Sequence, residues 1–186
     1  MSLLTIHPSD QPHIAEVFRD FDTMAAALDK IGVNFERWSA DRRLPPDADQ
    51  DEILDVYRAP VERLKARHSF QSADVIRVTP DHPHRAELRA NFLNEHTHSD
   101  FEVRFFVEGR GLFYLHPDER VYVVLCEQGD LISVPAGVPH WFDMGEAPSL
   151  KCIRLFTTPE GWVADFTGDE IATRFPKFED YLATYA

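Results

Sequence analysis

From Glu102 to Phe156 the sequence breaks into short apolar runs separated by turn residues, and this punctuation constrains the fold more than any other feature. The runs cover Glu102 to Glu108, Leu112 to His116, Arg120 to Glu127, Asp130 to Pro135, Val138 to Met144 and Leu150 to Phe156. Gly109, Gly111, Pro117-Asp118, Gly129, Gly137 and Gly145 stand at their ends, where chain reversal needs turn residues. Many short strands at this spacing predict a mainly β sandwich or small barrel.

The chain before this region reads differently. Leu3, Leu4 and Ile6 suggest a first strand that stops at Pro8, and Asp22-Thr23 offers an N-cap for a helix through Met24, Ala27, Leu28 and Ile31, with Gly32 placed as its C-terminal stop. Val33 to Trp38 reads as a strand. The longest helical pattern runs from Asp47 to Arg67, where Ile53, Leu54, Tyr57, Val61 and Leu64 recur at three- and four-residue intervals. Pro60 interrupts it, which predicts a kink or two abutting helices. A strand at Ala73 to Val78 and a short helix ending near Phe92 complete this part. At 186 residues the chain fits one domain: a helical and strand portion over 1–90, a barrel core over 91–157, and a tail over 158–186 whose aromatic residues dock it on the barrel.

The chemistry concentrates in Asn94 to Arg104, NEHTHSDFEVR. His96, His98, Glu102 and Arg104 share parity, so an extended strand would present all four on one face. His140, in PAGVPHWF, lies on a later run that an antiparallel pairing could bring across the cavity. Three imidazoles and one carboxylate suit Fe(II), Ni(II), Mn(II), Co(II) or Zn(II), whereas calcium prefers oxygen alone. An octahedral ion held by four such ligands keeps two positions open. His82 and His84 repeat the H-x-H spacing, but in a proline-containing turn that reads as solvated. Arg104 serves either a rim ion pair or an anionic ligand of the site. Arg154, a basic residue in an apolar run, needs a partner, which is either substrate or an acidic side chain. Phe105 and Trp141 have the parity opposite to the ligands and read as packing residues.

Composition excludes several function classes. The formal net charge of -13 opposes binding to nucleic-acid phosphates and to anionic membranes. No run approaches the ~20 apolar residues of a membrane span, and the N-terminus lacks the basic start and apolar stretch of a secretory signal. Cys126 and Cys152 lie in apolar runs without metal-ligand spacing, as reduced core residues would, with a single disulfide as the alternative. The expected location is the cytoplasm, and nothing demands more than a monomer.

The spacing around the histidines resembles the two motifs of the cupin superfamily, G-x5-H-x-H-x3-E-x6-G and G-x5-P-x-G-x2-H-x3-N. His96, His98, Glu102 and Gly109 meet the first, and Gly129, Pro135, Gly137 and His140 meet the second, while Ala90 and Met144 replace the opening glycine and the closing asparagine. Longer runs, FLNEHTHSDFEVRFFVEGRGLF, LCEQGDLISVPAGVPHWFDMG and IRLFTTPEGWVADFTGD, resemble the acireductone dioxygenase family. That resemblance implies a cupin-type double-stranded β-helix, a jelly-roll barrel, with the N-terminal helices packed outside. It implies His96, His98, Glu102 and His140 as ligands of one Fe(II) or Ni(II) ion, and Phe92, Phe142 and Trp162 as residues that receive substrate; Arg104, by its place on the ligand face, is the candidate catalytic countercharge to that substrate, and Arg154 is a second candidate of the same kind. The substrate implied is the acireductone 1,2-dihydroxy-3-keto-5-(methylthio)pentene, cleaved with O2. Fe(II) would yield formate and 4-methylthio-2-oxobutanoate in methionine salvage; Ni(II) would yield formate, CO and 3-methylthiopropanoate. The competing readings are a cupin metalloenzyme for another enediol or diketone, a cupin isomerase, and a metal-free cupin binding module.

Overall fold

A computed structural model describes residues 1–40, 44, 45, 47–158 and 163–186. The protein is built on antiparallel strands in two facing layers, with helices outside them, as the mainly β expectation requires. Both layers share one strand, β6 (Glu102–Leu115). Its first half pairs with β8 (Asp130–Val134) and β10 (Leu150–Phe156), and β3 (Asn34–Arg37) and β4 (Ser72–Val78) extend that layer. Its second half pairs with β7 (Arg120–Glu127) and β9 (His140–Asp143). Beyond β7 lie β1 (Leu3–Pro8) and β2 (Glu16–Phe18), and beyond β9 lie β5 (His96–Thr97) and β11 (Asp165–Phe166).

The sequence expectation of two strands divided by turns at Gly109 and Gly111 is therefore corrected: the chain runs straight through both. The β6–β10 register skips one residue, from Lys151 opposite Glu108 to Cys152 opposite Phe106. That bulge reverses the parity of β6. Val103, Phe105 and Val107 face outward before it, whereas Leu112 and Tyr114 face outward after it. Gly109 adopts φ +77°, and a Cβ there would sit 1.8 Å from the Ser149 carbonyl oxygen, so glycine is required by close approach.

Three apolar clusters follow from these faces. Phe106, Phe113, Leu115, Val124, Cys126, Ile132, Phe142 and Cys152 fill the space between the layers. Val103, Phe105, Ile153 and Leu155 are covered by α2 (Gln50–Val56) and α3 (Arg58–His68) through Ile53, Tyr57, Val61 and Leu64. Leu112, Tyr114, Val123 and Trp141 are covered by the tail, through Ile171 of a 3-10 turn and Phe178 and Tyr181 of α5 (Phe178–Tyr185). Phe105 and Trp141 are thus packing residues, 0% and 1% exposed. Cys126 and Cys152 are free and buried. Burial pushes both thiols up, that of Cys152 to about 12.

The helix limits show which local rules prevailed. In the first helix, α1 (Phe21–Asp29), the capping residue is Asp20, whose carboxylate accepts from the Thr23 amide at 3.0 Å, in place of the expected Asp22-Thr23. The two abutting helices are present, but they break at Tyr57. Pro60 then falls in the first turn of α3, where its missing amide proton would have had no intrahelical acceptor. Asp49 and Glu52 close a reciprocal capping box at the start of α2. The helix α4 (Arg85–Phe92) ends where the sequence predicted. Its Arg89 reaches Asp143 on β9 with two hydrogen bonds, of 2.7 and 2.9 Å, which ties α4 to the barrel.

Candidate metal centre

His96 and His140 lie opposite each other in the β5–β9 pair, so the antiparallel neighbour does carry the distant imidazole to the first. His96, His98, Glu102 and Arg104 do not, however, occupy one extended strand. The chain turns after His98, and the Asp100 carboxylate holds that turn by accepting from the amides of Phe101 and Thr157, both at 2.7 Å. Two imidazoles thus come from β5 and its end in one layer, and the carboxylate and guanidinium come from β6 as it enters the other.

Each imidazole is oriented by a backbone carbonyl. The Nδ1 of His96 lies 2.7 Å from Asn94 O, that of His98 lies 2.8 Å from Val163 O, and that of His140 lies 2.7 Å from Val138 O. A carbonyl only accepts, so all three Nδ1 atoms carry protons, and Nε2 is the atom each ring, when neutral, offers to an ion. His140 Nε2 approaches Glu102 Oε2 to 2.6 Å, and His98 Nε2 approaches the same oxygen to 3.5 Å. Four donor atoms, one from each residue, lie within 4.8 Å of one another, and among the described residues no other such group of three or more occurs. Three convergent acceptor nitrogens and a carboxylate oxygen would repel without a cation between them, so the donor set fits a divalent ion.

Burial and neighbouring charges act on these groups in different directions. Desolvation and the neighbouring His140 lower His96 to about 4, leaving it neutral at physiological pH. For His98, burial acts downward, but the Glu102 carboxylate outweighs it and the net shift is upward. Burial alone would raise Glu102; the Arg104 charge and the His140 contact overcome it and hold the carboxyl well below the usual range.

Arg104 donates from Nη2 to Glu102 Oε1 at 2.8 Å, leaving Oε2 to the histidines. Its guanidinium carbon lies 4.5 Å from the Phe142 ring centre, 5.3 Å from Phe113 and 5.5 Å from Phe92, an aromatic cage for a buried cation. Its Nε is buried and has no hydrogen-bond partner among the described residues. An adjoining cavity of about 300 Å³ is lined by His96, His98 and Glu102, by Arg104, Phe92 and Phe142, and by Phe101, Phe156 and Phe166. Arg154 also lines it, but donates to both Asp74 oxygens, at 2.8 and 2.6 Å, which supplies the acidic partner its sequence setting demanded. Trp162 falls outside the described residues. His82 and His84 stand in an exposed turn and are not part of this set; the His84 amide donates to His82 Nδ1 at 3.2 Å and its ring approaches Glu87. Sequence reasoning did not single out Phe101 and Phe156, because residues at strand ends carry no periodic mark. A wider groove of about 600 Å³ beside α2 and α3 is lined largely by charged surface residues and contains none of the convergent donors.

A jelly-roll barrel of two antiparallel layers with a three-histidine, one-carboxylate cluster at its mouth defines a metal-binding cupin. The particular family follows from comparison: residues 4–164 match the ARD/ARD' family, and the chain belongs to it. It is 66% identical over 186 residues to the acireductone dioxygenase of Methylococcus capsulatus, covering 100% of both chains. It is 54% identical over 182 residues to that of Aquifex aeolicus, covering 98% of this chain and 99% of the relative. Among solved structures, an acireductone dioxygenase from Bacillus anthracis with a cadmium ion in its active centre superposes with a TM-score of 0.80 at 33% identity, over 89% of this chain and 98% of that one.

Proposed function

We propose that this chain is an acireductone dioxygenase whose ion is held by His96, His98, Glu102 and His140, and that the ion is Fe(II) or Ni(II). The observation that carries the assignment is the convergence of three carbonyl-oriented Nε2 atoms and Glu102 Oε2, in a chain 66% identical to an enzyme of that name. The cadmium in the active centre of the Bacillus anthracis protein supports a site for divalent metal.

Held by those four residues, the ion would supply Lewis acidity to an enediolate substrate. The remaining work falls to side chains. Arg104 keeps Glu102 ionised, and its unpaired Nε is a donor for a substrate oxygen in the cavity it lines. Phe92 and Phe142 hold that guanidinium in place and wall the space open to the methylthio arm. Arg154 lines the same cavity, but its charge is matched by Asp74, so it contributes an oriented polar wall and no free countercharge. Confinement in a cavity of about 300 Å³ lets these groups orient a small substrate without a nucleophilic side chain.

The same reading makes the whole chain one cupin unit that works as a monomer in the cytoplasm, without nucleic acid or membrane partners. Two free buried cysteines and a net charge of -13 support it, and among the described residues no helix is long and apolar enough to cross a membrane. The test is anaerobic reconstitution with Fe(II) or Ni(II), followed by acireductone and O2. Carbon monoxide from the nickel form alone is expected. No oxygen consumption with either ion would overturn the assignment.

A further inference from the structure

The segment after the described gap, residues 163–167, crosses the metal centre as a strap. Its strand β11 pairs with β5 through two residues, Asp165 opposite Thr97 and Phe166 opposite His96. Apolar burial does not hold it there: Val163 is 49% and Phe166 58% exposed, and Asp165 and Thr167 are exposed as well. A pairing this short, without a buried face, is marginal by itself. Two polar contacts supplement it. At one end the Val163 carbonyl accepts from His98 Nδ1 at 2.8 Å. At the other, Thr167 donates from Oγ1 to Glu95 Oε1 at 2.7 Å and from its amide to the Glu95 carbonyl at 3.1 Å.

Glu95 is well suited as the anchor. It is 4% exposed, and its second oxygen, Oε2, lies 2.7 Å from His116 Nδ1, while the His116 amide donates to Pro139 O at 2.8 Å. One buried carboxylate thereby joins the residue before His96, the residue before His140 and the strap that orients His98. Nothing in the cavity described above touches Thr167, so no direct part in substrate binding explains this arrangement.

We infer that Thr167, anchored by Glu95, is a positioning residue of the metal centre: it clamps the strap so that the Val163 carbonyl fixes His98 with Nε2 turned to the ion. The inference rests on His98 being a ligand, as proposed above. A hydrogen-bond acceptor for a ligand imidazole typically contributes 10–100-fold to metal affinity. The coupling is reciprocal, so a bound ion must in turn hold the strap down.

The experiment uses Co(II) with the full chain. Its dissociation constant is measured by chelator competition, and amide hydrogen exchange over residues 165–167 is followed with and without the ion. Thr167→Val keeps the shape and removes the hydroxyl; Thr167→Ser keeps the hydroxyl. Thr167→Val is expected to weaken Co(II) binding about tenfold or more and to speed exchange in the strap. Thr167→Ser should restore affinity to near the parent value. Co(II) binding by Thr167→Val within twofold of the parent would overturn the inference, as would a Thr167→Ser variant as weak as Thr167→Val. His98→Ala separates the two ideas. If it abolishes Co(II) binding while Thr167→Val does not, the clamp falls and the ligand role of His98 stands; if His98→Ala also binds normally, that ligand assignment itself falls.

Discussion

Gly111→Ala places one methyl group where the structure leaves no room for it. A Cβ on Gly111 would lie 2.3 Å from Phe142 Cζ and 2.6 Å from Cε2, whereas carbon atoms settle at about 3.5–4.0 Å. Gly111 does not have a left-handed backbone, so alanine meets no conformational penalty and the cost is steric. The strand has little freedom to retreat, because Gly111 is paired with Cys126 of β7. The Phe142 ring must therefore move by roughly 1 Å or more, and it is packed against Phe113 at 4.8 Å and against the Arg104 guanidinium at 4.5 Å. Overpacking of this kind costs about 1–3 kcal/mol, and a displacement near 1 Å at a substrate-positioning group costs about 10²-fold in turnover. The assays are urea unfolding of the metal-free protein and kcat/KM of the reconstituted enzyme, for Gly111→Ala, Phe142→Leu and the double variant. The double variant should be more stable than the sum of the single effects, with a coupling of about 0.5–3 kcal/mol. A neutral Gly111→Ala, or strictly additive effects, would refute the steric reasoning.

Arg104→Met should retain its full metal content by elemental analysis and lose about 10²–10³-fold in kcat, the usual effect of removing one preorganised donor; parent-like turnover would make Arg104 structural. Asp143→Asn removes a fully buried carboxylate that accepts from Arg89 twice and from the amides of Gly145 and Phe178, and should lower unfolding stability by about 3–5 kcal/mol. A loss below about 1 kcal/mol would show that the ion pair contributes little there. In the metal-free protein, His96 protonates only near pH 4 while an unfolded chain protonates it near 6.5. Between those values the unfolded state holds more protons, so His96 makes stability fall as pH falls. His98, raised by Glu102, acts in the other direction: its contribution is present below 6.5 and is lost as pH rises through the folded value. His96→Gln should therefore flatten the acid-side decline in urea midpoint between pH 6.5 and 4, and an unchanged slope would count against a neutral buried His96.

Strand punctuation and parity were enough to predict a mainly β sandwich or small barrel, the four metal-capable residues and the packing role of Phe105 and Trp141, because side-chain type and two-residue periodicity are local properties, and the resemblance of the motifs added the cupin barrel. Gly109 and Gly111 mark the limit of that reading. Both looked like turn residues, yet one accommodates the Ser149 carbonyl and the other the Phe142 ring, and both neighbours arrive from distant segments. The parity that grouped His96, His98, Glu102 and Arg104 picked side chains that do converge, by way of a strand that does not exist: Asp100 turns the chain between them by binding the end of β10. Arg154 showed its need for a partner in the sequence, but only the β4–β10 register, with Arg154 opposite Asp74, decided which carboxylate answers it. The same holds for Glu95 and Thr167, which are far apart in the chain and carry no shared pattern. Such contacts are set by which strands become neighbours, and that choice is made by burial of the whole apolar surface, a cooperative property no local window contains.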